Sequence, residues 1–163
     1  MKHTIAVTAL LALLAAGCTT VPLAPGESEA SVISKLGRPT HQYQDGNTRY
    51  LEYMRGPFGQ ETWMAKIGRD GKLADYEQVL NSTKFSTIKV GISNKNDVLR
   101  TIGAPGSTSF LTLRQLEVWT YRYKESNVWN SMMHVHFDKN GIVQQMMNGP
   151  DTERDPGLKM FGR

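Results

Sequence analysis

Two short stretches of this chain follow one pattern at a constant offset, and that pattern limits what the chain can fold into. Val32, Ile33, Leu36, Gly37 and Pro39 match Val98, Leu99, Ile102, Gly103 and Pro105. In the second stretch, Val98, Leu99 and Ile102 fall at i, i+1 and i+4, which puts one apolar stripe on a short helix. Gly103 can take positive φ without a Cβ clash, and Pro105 forbids the helix to continue. Ser93 is the expected N-cap, because its hydroxyl can accept from a backbone N–H that the first turn leaves unpaired. The result is a one-sided helix with a hard stop. Later positions match too: Leu51-Glu52-Tyr53 against Trp119-Thr120-Tyr121, and Asp70-Gly71 against Asn140-Gly141. The chain therefore reads as a tandem repeat of one helix-then-strands unit.

Strand signals fill each unit. In the first, residues 40–44 suggest a short edge strand and Asp45-Gly46-Asn47 a turn. Residues 49–55 alternate, with Leu51 and Tyr53 on one face and Tyr50, Glu52 and Met54 on the other. Gly56-Pro57-Phe58-Gly59 breaks the strand. Residues 62–68 resume it with Trp63, Ala65 and Ile67 toward the core, and the Asp70-Gly71 turn returns the chain through 72–80. Residues 81–89 join the units, with Phe85 and Ile88 able to anchor a short helix. The second unit repeats the plan over 107–113, 117–124, 132–138 and 141–148. The expected fold class is α+β, a tandem repeat of a short helix or helix pair followed by a three- to four-stranded antiparallel meander sheet. The helix covers one sheet face, and the other can face water.

The ends of the chain read differently. Lys2 precedes an uncharged, Ala- and Leu-rich run over residues 4–17. That run is shorter than the roughly 20 apolar residues a membrane-spanning helix needs, and its order is that of an export signal. It closes on Leu14-Ala15-Ala16-Gly17-Cys18, and Cys18 is the only cysteine. This resembles a bacterial lipobox, with Ala15 where Leu is commonest. The resemblance implies cleavage before Cys18 and acylation (palmitate included) of its thiol. The alternative is ordinary secretory cleavage with Cys18 a bystander. The expected division is 1–17 signal peptide, 18–25 tether, 26–80 first repeat, 81–148 second repeat and 149–163 flexible tail. A single cysteine makes no intrachain disulfide, so the fold must stand on its core.

Nineteen Lys and Arg stand against fifteen Asp and Glu, interspersed rather than blocked. Losing Lys2 with the leader leaves 18 against 15. This is a solvated surface and not a nucleic-acid footprint.

Few residues suggest chemistry. His134 and His136 lie two apart on one strand, sharing a face with Met132, a donor set suited to a soft ion such as Cu(I). They are the metal candidates, and polar residues on an open sheet face are the competing reading. Trp119 and Tyr121 are expected in the core, whereas Tyr123 and Trp129, near strand ends, are candidates for a protein-binding rim together with His134 and His136. The methionines at 132, 133, 146 and 147 must divide between the two faces by alternation. No Ser, His and Asp spacing suggests a nucleophile with its base, and no phosphate-binding glycine loop occurs. The expectation is no enzyme and no cofactor.

Gly91-x-Ser93 with Val98, Ile102-Gly103-x-Pro105, Trp119-x-Tyr121 and Phe137-Asp138-Lys139-Asn140-Gly141-Ile142-Val143 resembles the SmpA/OmlA (BamE-like) family of small outer-membrane lipoproteins. The tandem plan is similar to that of the secreted β-lactamase-inhibitor protein. The first unit departs from the pattern, with Glu27 where Ser is expected and Leu51 in place of Trp. The resemblance implies a lipid-anchored protein on the periplasmic side of the outer membrane, since Thr19 rather than Asp follows Cys18. It implies a non-catalytic scaffold whose partners are envelope proteins such as the β-barrel assembly machinery. The alternative is an inhibitor-type module that occludes an enzyme or other envelope protein.

Overall fold

Asn94, one residue later than expected, caps the central helix. A computed structural model describes residues 22–154, so Cys18 and the leader lie outside the described residues. The Asn94 side chain accepts from the N–H groups of Asn96 and Asp97, and the Asp97 carboxylate accepts from the Asn94 N–H at 2.9 Å. This reciprocal capping box satisfies donors that the first turn leaves free. Ser93 instead accepts from the Lys89 N–H at 2.9 Å and so closes the preceding loop. In the first unit, Ser28 caps helix α1 (Glu29–Leu36) and Glu27 accepts from the Ala24 N–H. The equivalent positions do equivalent jobs, so Glu27 is no loss of the cap.

After α1 come strands β1 (His41–Asp45), β2 (Thr48–Arg55), β3 (Glu61–Ile67) and β4 (Leu73–Gln78), with a 3₁₀ turn at Pro57–Gly59. Helices α2 (Ser82–Thr87) and α3 (Lys95–Ile102) follow, then β5 (Ser107–Leu111), β6 (Leu116–Glu125), β7 (Trp129–Phe137) and β8 (Val143–Pro150). Each quartet of strands forms one antiparallel meander, in the order β1-β2-β3-β4 and β5-β6-β7-β8. The repeat extends to details: both sheets shift register at matching places, Lys66/Ile67 and His136/Phe137. Matching bridges also tie each helix entry to its hairpin, Ser28 to Lys72 and Asn94 to Ile142. The expected α+β class with a repeated helix-then-sheet plan is the observed one.

Two apolar cores result. Val32 of α1 lies with Leu51, Tyr53, Ala65, Ile67 and Leu73. Val98 and Ile102 of α3 lie with Trp119, Tyr121, Val135 and Phe137, and α2 adds Phe85 beside Ile88. Met133 and Met146 join this second core, while Met147 faces out and is exposed.

The one-sided helix and the open first sheet both need correction. Glu52, Thr62 and Met64 point away from α1, yet all three are buried. The second unit covers them: α3 and its C-terminal turn lie against this face, with the Ala104 N–H bonding the Glu52 carboxylate at 3.1–3.2 Å. α3 is thus sandwiched, its apolar stripe on its own sheet and its opposite side on the first. A further correction concerns the tail. Strand β8 runs through Pro150, and Asp151 is fully buried beside the Arg122 guanidinium at 3.3 Å. The fold therefore extends into the expected 149–163 tail at least to Asp151; residues 155–163 lie outside the described ones.

Candidate interaction surface

The two units approach each other closely at Gly103, which ends α3 with φ +82 and ψ −169. A Cβ here would meet Glu52 Cδ and Oε1 at 2.8 Å and Thr62 Cγ2 at 2.9 Å. Its repeat partner Gly37 has nearly the same backbone angles but open space where a Cβ would go. The Gly103 carbonyl also accepts from the buried Tyr121 hydroxyl at 3.1 Å. The glycine is therefore both a helix stop, as its spacing indicates, and a point of contact between units that no local pattern reveals.

Glu52 is the buried charge at this seam. Burial pushes its carboxyl above the ordinary value of 4.5, against the Tyr43 hydroxyl and Ala104 N–H that donate to it and His41, whose Nδ1 is 3.4 Å away. A carboxyl held up by desolvation has the profile of a general acid. This one is fully buried, so no substrate can reach it, and its partners make it a structural connector between sheet and helix.

Farther along the seam, Gln60 Nε2 donates to Asn130 Oδ1 at 3.0 Å. Phe58, at positive φ in the 3₁₀ turn, lies under the Arg154 and Arg122 guanidiniums, 4.7 and 5.7 Å from its centroid. A cleft of about 420 Å³ opens there between Met54, Phe58, Gly106, Thr120 and Arg122.

The second sheet's outward face carries the expected histidines on one side of β7. His134 Nδ1 is 2.9 Å from Thr120 Oγ1, and His136 is nearly buried with Nδ1 unpartnered. Burial lowers both imidazoles below 6.5, with the neighbouring His134 and Arg114 adding to the effect at His136. Among the described residues, no group of three or more His, Cys, Asp or Glu side chains is placed to hold a metal. His41 belongs to the Glu52 cluster of the first unit.

The two aromatic rim candidates separate. Trp129, the first residue of β7, is two-thirds exposed beside Val128 of the β6–β7 turn. Tyr123 is not on a rim: it is buried, meets Phe85 edge-on at 4.9 Å and donates to Asn148 Oδ1 at 2.9 Å. Strand β6 continues past it to Glu125, and α2 closes over it.

Residues 77–147, from the end of β4 into β8, match the family profile described as "Outer membrane protein assembly factor BamE domain". The second unit is BamE-like. The match takes in α3, whose C-terminal turn presses on the first sheet, so the seam is built from the BamE-like unit's own helix. Among solved structures, a DUF4309 family protein (YjgB) from Bacillus subtilis subsp. subtilis str. 168 is similar over 76% of this chain and 78% of its own, at 10% identity and a TM-score of 0.33. A likeness that weak bears on neither fold nor function. No curated protein matches the chain.

Proposed function

We propose that the protein is a non-catalytic scaffold in outer-membrane protein assembly, anchored by acylated Cys18 on the periplasmic side of the outer membrane. The match of residues 77–147 to the BamE domain carries this reading. The lipobox-like order of residues 4–18 supports the anchor, and no helix among the described residues is long and apolar enough to cross a membrane. The partners are envelope proteins, and Trp129 with the His134 side of β7 is the surface offered to them. The inhibitor-type alternative needs a surface shared by both sheets. It is weakened by the burial of Glu52, Thr62 and Met64, which removes one of those faces.

Crosslinking in intact envelopes followed by purification of the tagged full-length protein tests the scaffold. Co-purification of an outer-membrane assembly component is expected, and isolation of the protein alone sinks the idea. Cys18→Ser should appear in the soluble periplasmic fraction with an unchanged melting curve. Retention of that variant in the membrane pellet at high salt would place the anchor elsewhere.

A further inference from the structure

Nine large apolar side chains are exposed among the described residues, and five of them gather at one end of the second unit: Val90, Ile92, Phe110, Leu111 and Leu113. They come from two separate segments. Phe110 and Leu111 end β5, and Leu113 lies in the β5–β6 turn. Val90 and Ile92 flank Gly91, whose N–H bonds the Val143 carbonyl at the start of β8, on the opposite edge of the sheet. The β5–β6 tip is built and not loose: Arg114 N–H donates to the Leu111 carbonyl, and both the N–H and side chain of Gln115 donate to that of Thr112. Leu113 is held fully out in solvent by this turn, at 102% exposure. The same place in the first unit is the polar Asp45-Gly46-Asn47 turn, so the repeat does not require an apolar tip.

The chain's entry lies at the same end. Three contacts across the seam occur in one order along both units: Gln60 with Asn130, Glu52 with Ala104, and Asp45 with Arg100. Asn130 begins near the β6–β7 turn, and Ala104 and Arg100 lead back along α3 toward Asn94 and the β7–β8 turn. The two sheets therefore run in the same sense, with the β3–β4 turn of the first on the side of the apolar end of the second. The first described residues are bound there, Gly26 N–H to the Leu73 carbonyl and Glu29 N–H to that of Gly71. Pro22 follows Cys18 by four positions, a span of at most about 14 Å. Exposed cations stand on the turns of this end, namely Arg69, Lys72, Arg114 and Lys139. The acids on the turns of this end are Asp70 and Asp138, which each accept backbone N–H groups of their own turns, and Asp45, which faces the Arg100 guanidinium at 3.8 Å.

We propose that this end of the molecule rests on the phospholipid surface, with the Phe110–Leu113 tip seated in the interfacial layer and the basic turns against the headgroups. The inference rests on the Cys18 anchor of the preceding reading, which brings a bilayer within reach of this end. A short tether confines the domain to the surface, and an apolar tip rimmed by cations is the chemistry that an interfacial element uses. The occupant needs no shape match, which suits two projecting segments from opposite sheet edges.

The full-length protein, purified from membranes and returned to vesicles of phosphatidylethanolamine with a minority of phosphatidylglycerol, allows a direct test. Cys18 is the only native cysteine, so Leu113→Cys and, at the far end, Val128→Cys each accept a single fluorophore. The probe at 113 should be quenched several-fold more by nitroxide lipids than the probe at 128, and aqueous iodide should reverse the order. Equal quenching at the two positions overturns the proposal, as does shielding of 113 only after envelope proteins are added, which would make the occupant a protein. The mass of the Cys18 peptide separates the failures. An unacylated Cys18 removes the anchor and this proposal together, whereas an acylated protein with a water-exposed tip removes this proposal alone.

Discussion

Ala substituted at Gly37 and at Gly103 makes an internally controlled experiment, because the repeat places the two glycines in one backbone conformation and two environments. At both, φ is near +83 with extended ψ (82 and 84), a region essentially closed to residues with a Cβ and costing about 1–3 kcal/mol. A lower chain entropy in the unfolded state returns about 0.4–1 kcal/mol in each case. Gly37→Ala ends there, since nothing lies within 4 Å of its new methyl group. Gly103→Ala must also displace Glu52 or Thr62. The carboxylate is the far end of a long side chain, yet the Ala104 N–H and the Tyr43 hydroxyl hold it, and the branched, buried Thr62 has little room to turn. Overpacking of this kind costs about 1–3 kcal/mol beyond the strain. The difference between the variants should be that same amount, or about 2–12 °C in melting temperature for a protein of this size. Urea titration and thermal melts of both variants in the Cys18→Ser background measure it. Equal losses would refute the close seam, because strain alone would then account for both positions.

Other outcomes follow from the same contacts. Ile102→Ala should destabilise by about 2–5 kcal/mol through lost burial and a cavity, read as a fall in the urea midpoint; a midpoint unchanged from wild type would remove α3's stripe from the core. Burial raises the Glu52 carboxyl, so the folded state holds its proton more tightly than the unfolded one, and wild-type stability should fall as pH rises from about 4.5 through the raised value. Glu52→Gln should flatten that slope, while Glu52→Ala should cost about 1–3 kcal/mol at neutral pH by orphaning the Ala104 N–H; a slope unchanged in Glu52→Gln would acquit this carboxyl. The depressed His134 and His136 have the opposite sign, with stability present above about 6.5 and lost as pH falls below it. A His134→Asn, His136→Gln double variant that loses stability as steeply as wild type below pH 6.5 would locate the effect elsewhere.

What could be read in the sequence was local. The i, i+1, i+4 stripe identified Val98 and Ile102 as core, the Asp70-Gly71 and Asn140-Gly141 pairs located matching hairpins, and strand alternation divided Met133 and Met146 from Met132 and Met147. The N-cap was off by one because Ser93 and Asn94 both carry suitable oxygens, and the bridge from Asn94 to Ile142 decides between them. Glu52 was illegible for a stronger reason. Its partner Ala104 is 52 residues away in the other unit, and alternation alone places a glutamate at that position on a wet face. Tyr123 reads as a rim residue only if the strand stops near it and nothing lies above. Asp151 sits in a charged stretch without apolar spacing, and its burial depends on Arg122 from a strand formed much earlier in the chain.

Because α3 forms the wall between the two sheets, the first unit is finished only by a segment made after it. A ribosome or export channel releases β1–β4 while the face bearing Glu52, Thr62 and Met64 has no cover, and that face stays bare until residues up to Ala104 arrive. The long-range pairings, Glu52 with Ala104 and Gln60 with Asn130, make loop closure an early entropic cost and favour slow, concerted folding. The two repeats should then melt as a single cooperative transition, and a fragment ending at residue 80 should be a sticky intermediate. That interval, before α3 arrives, is when a chaperone has a binding site.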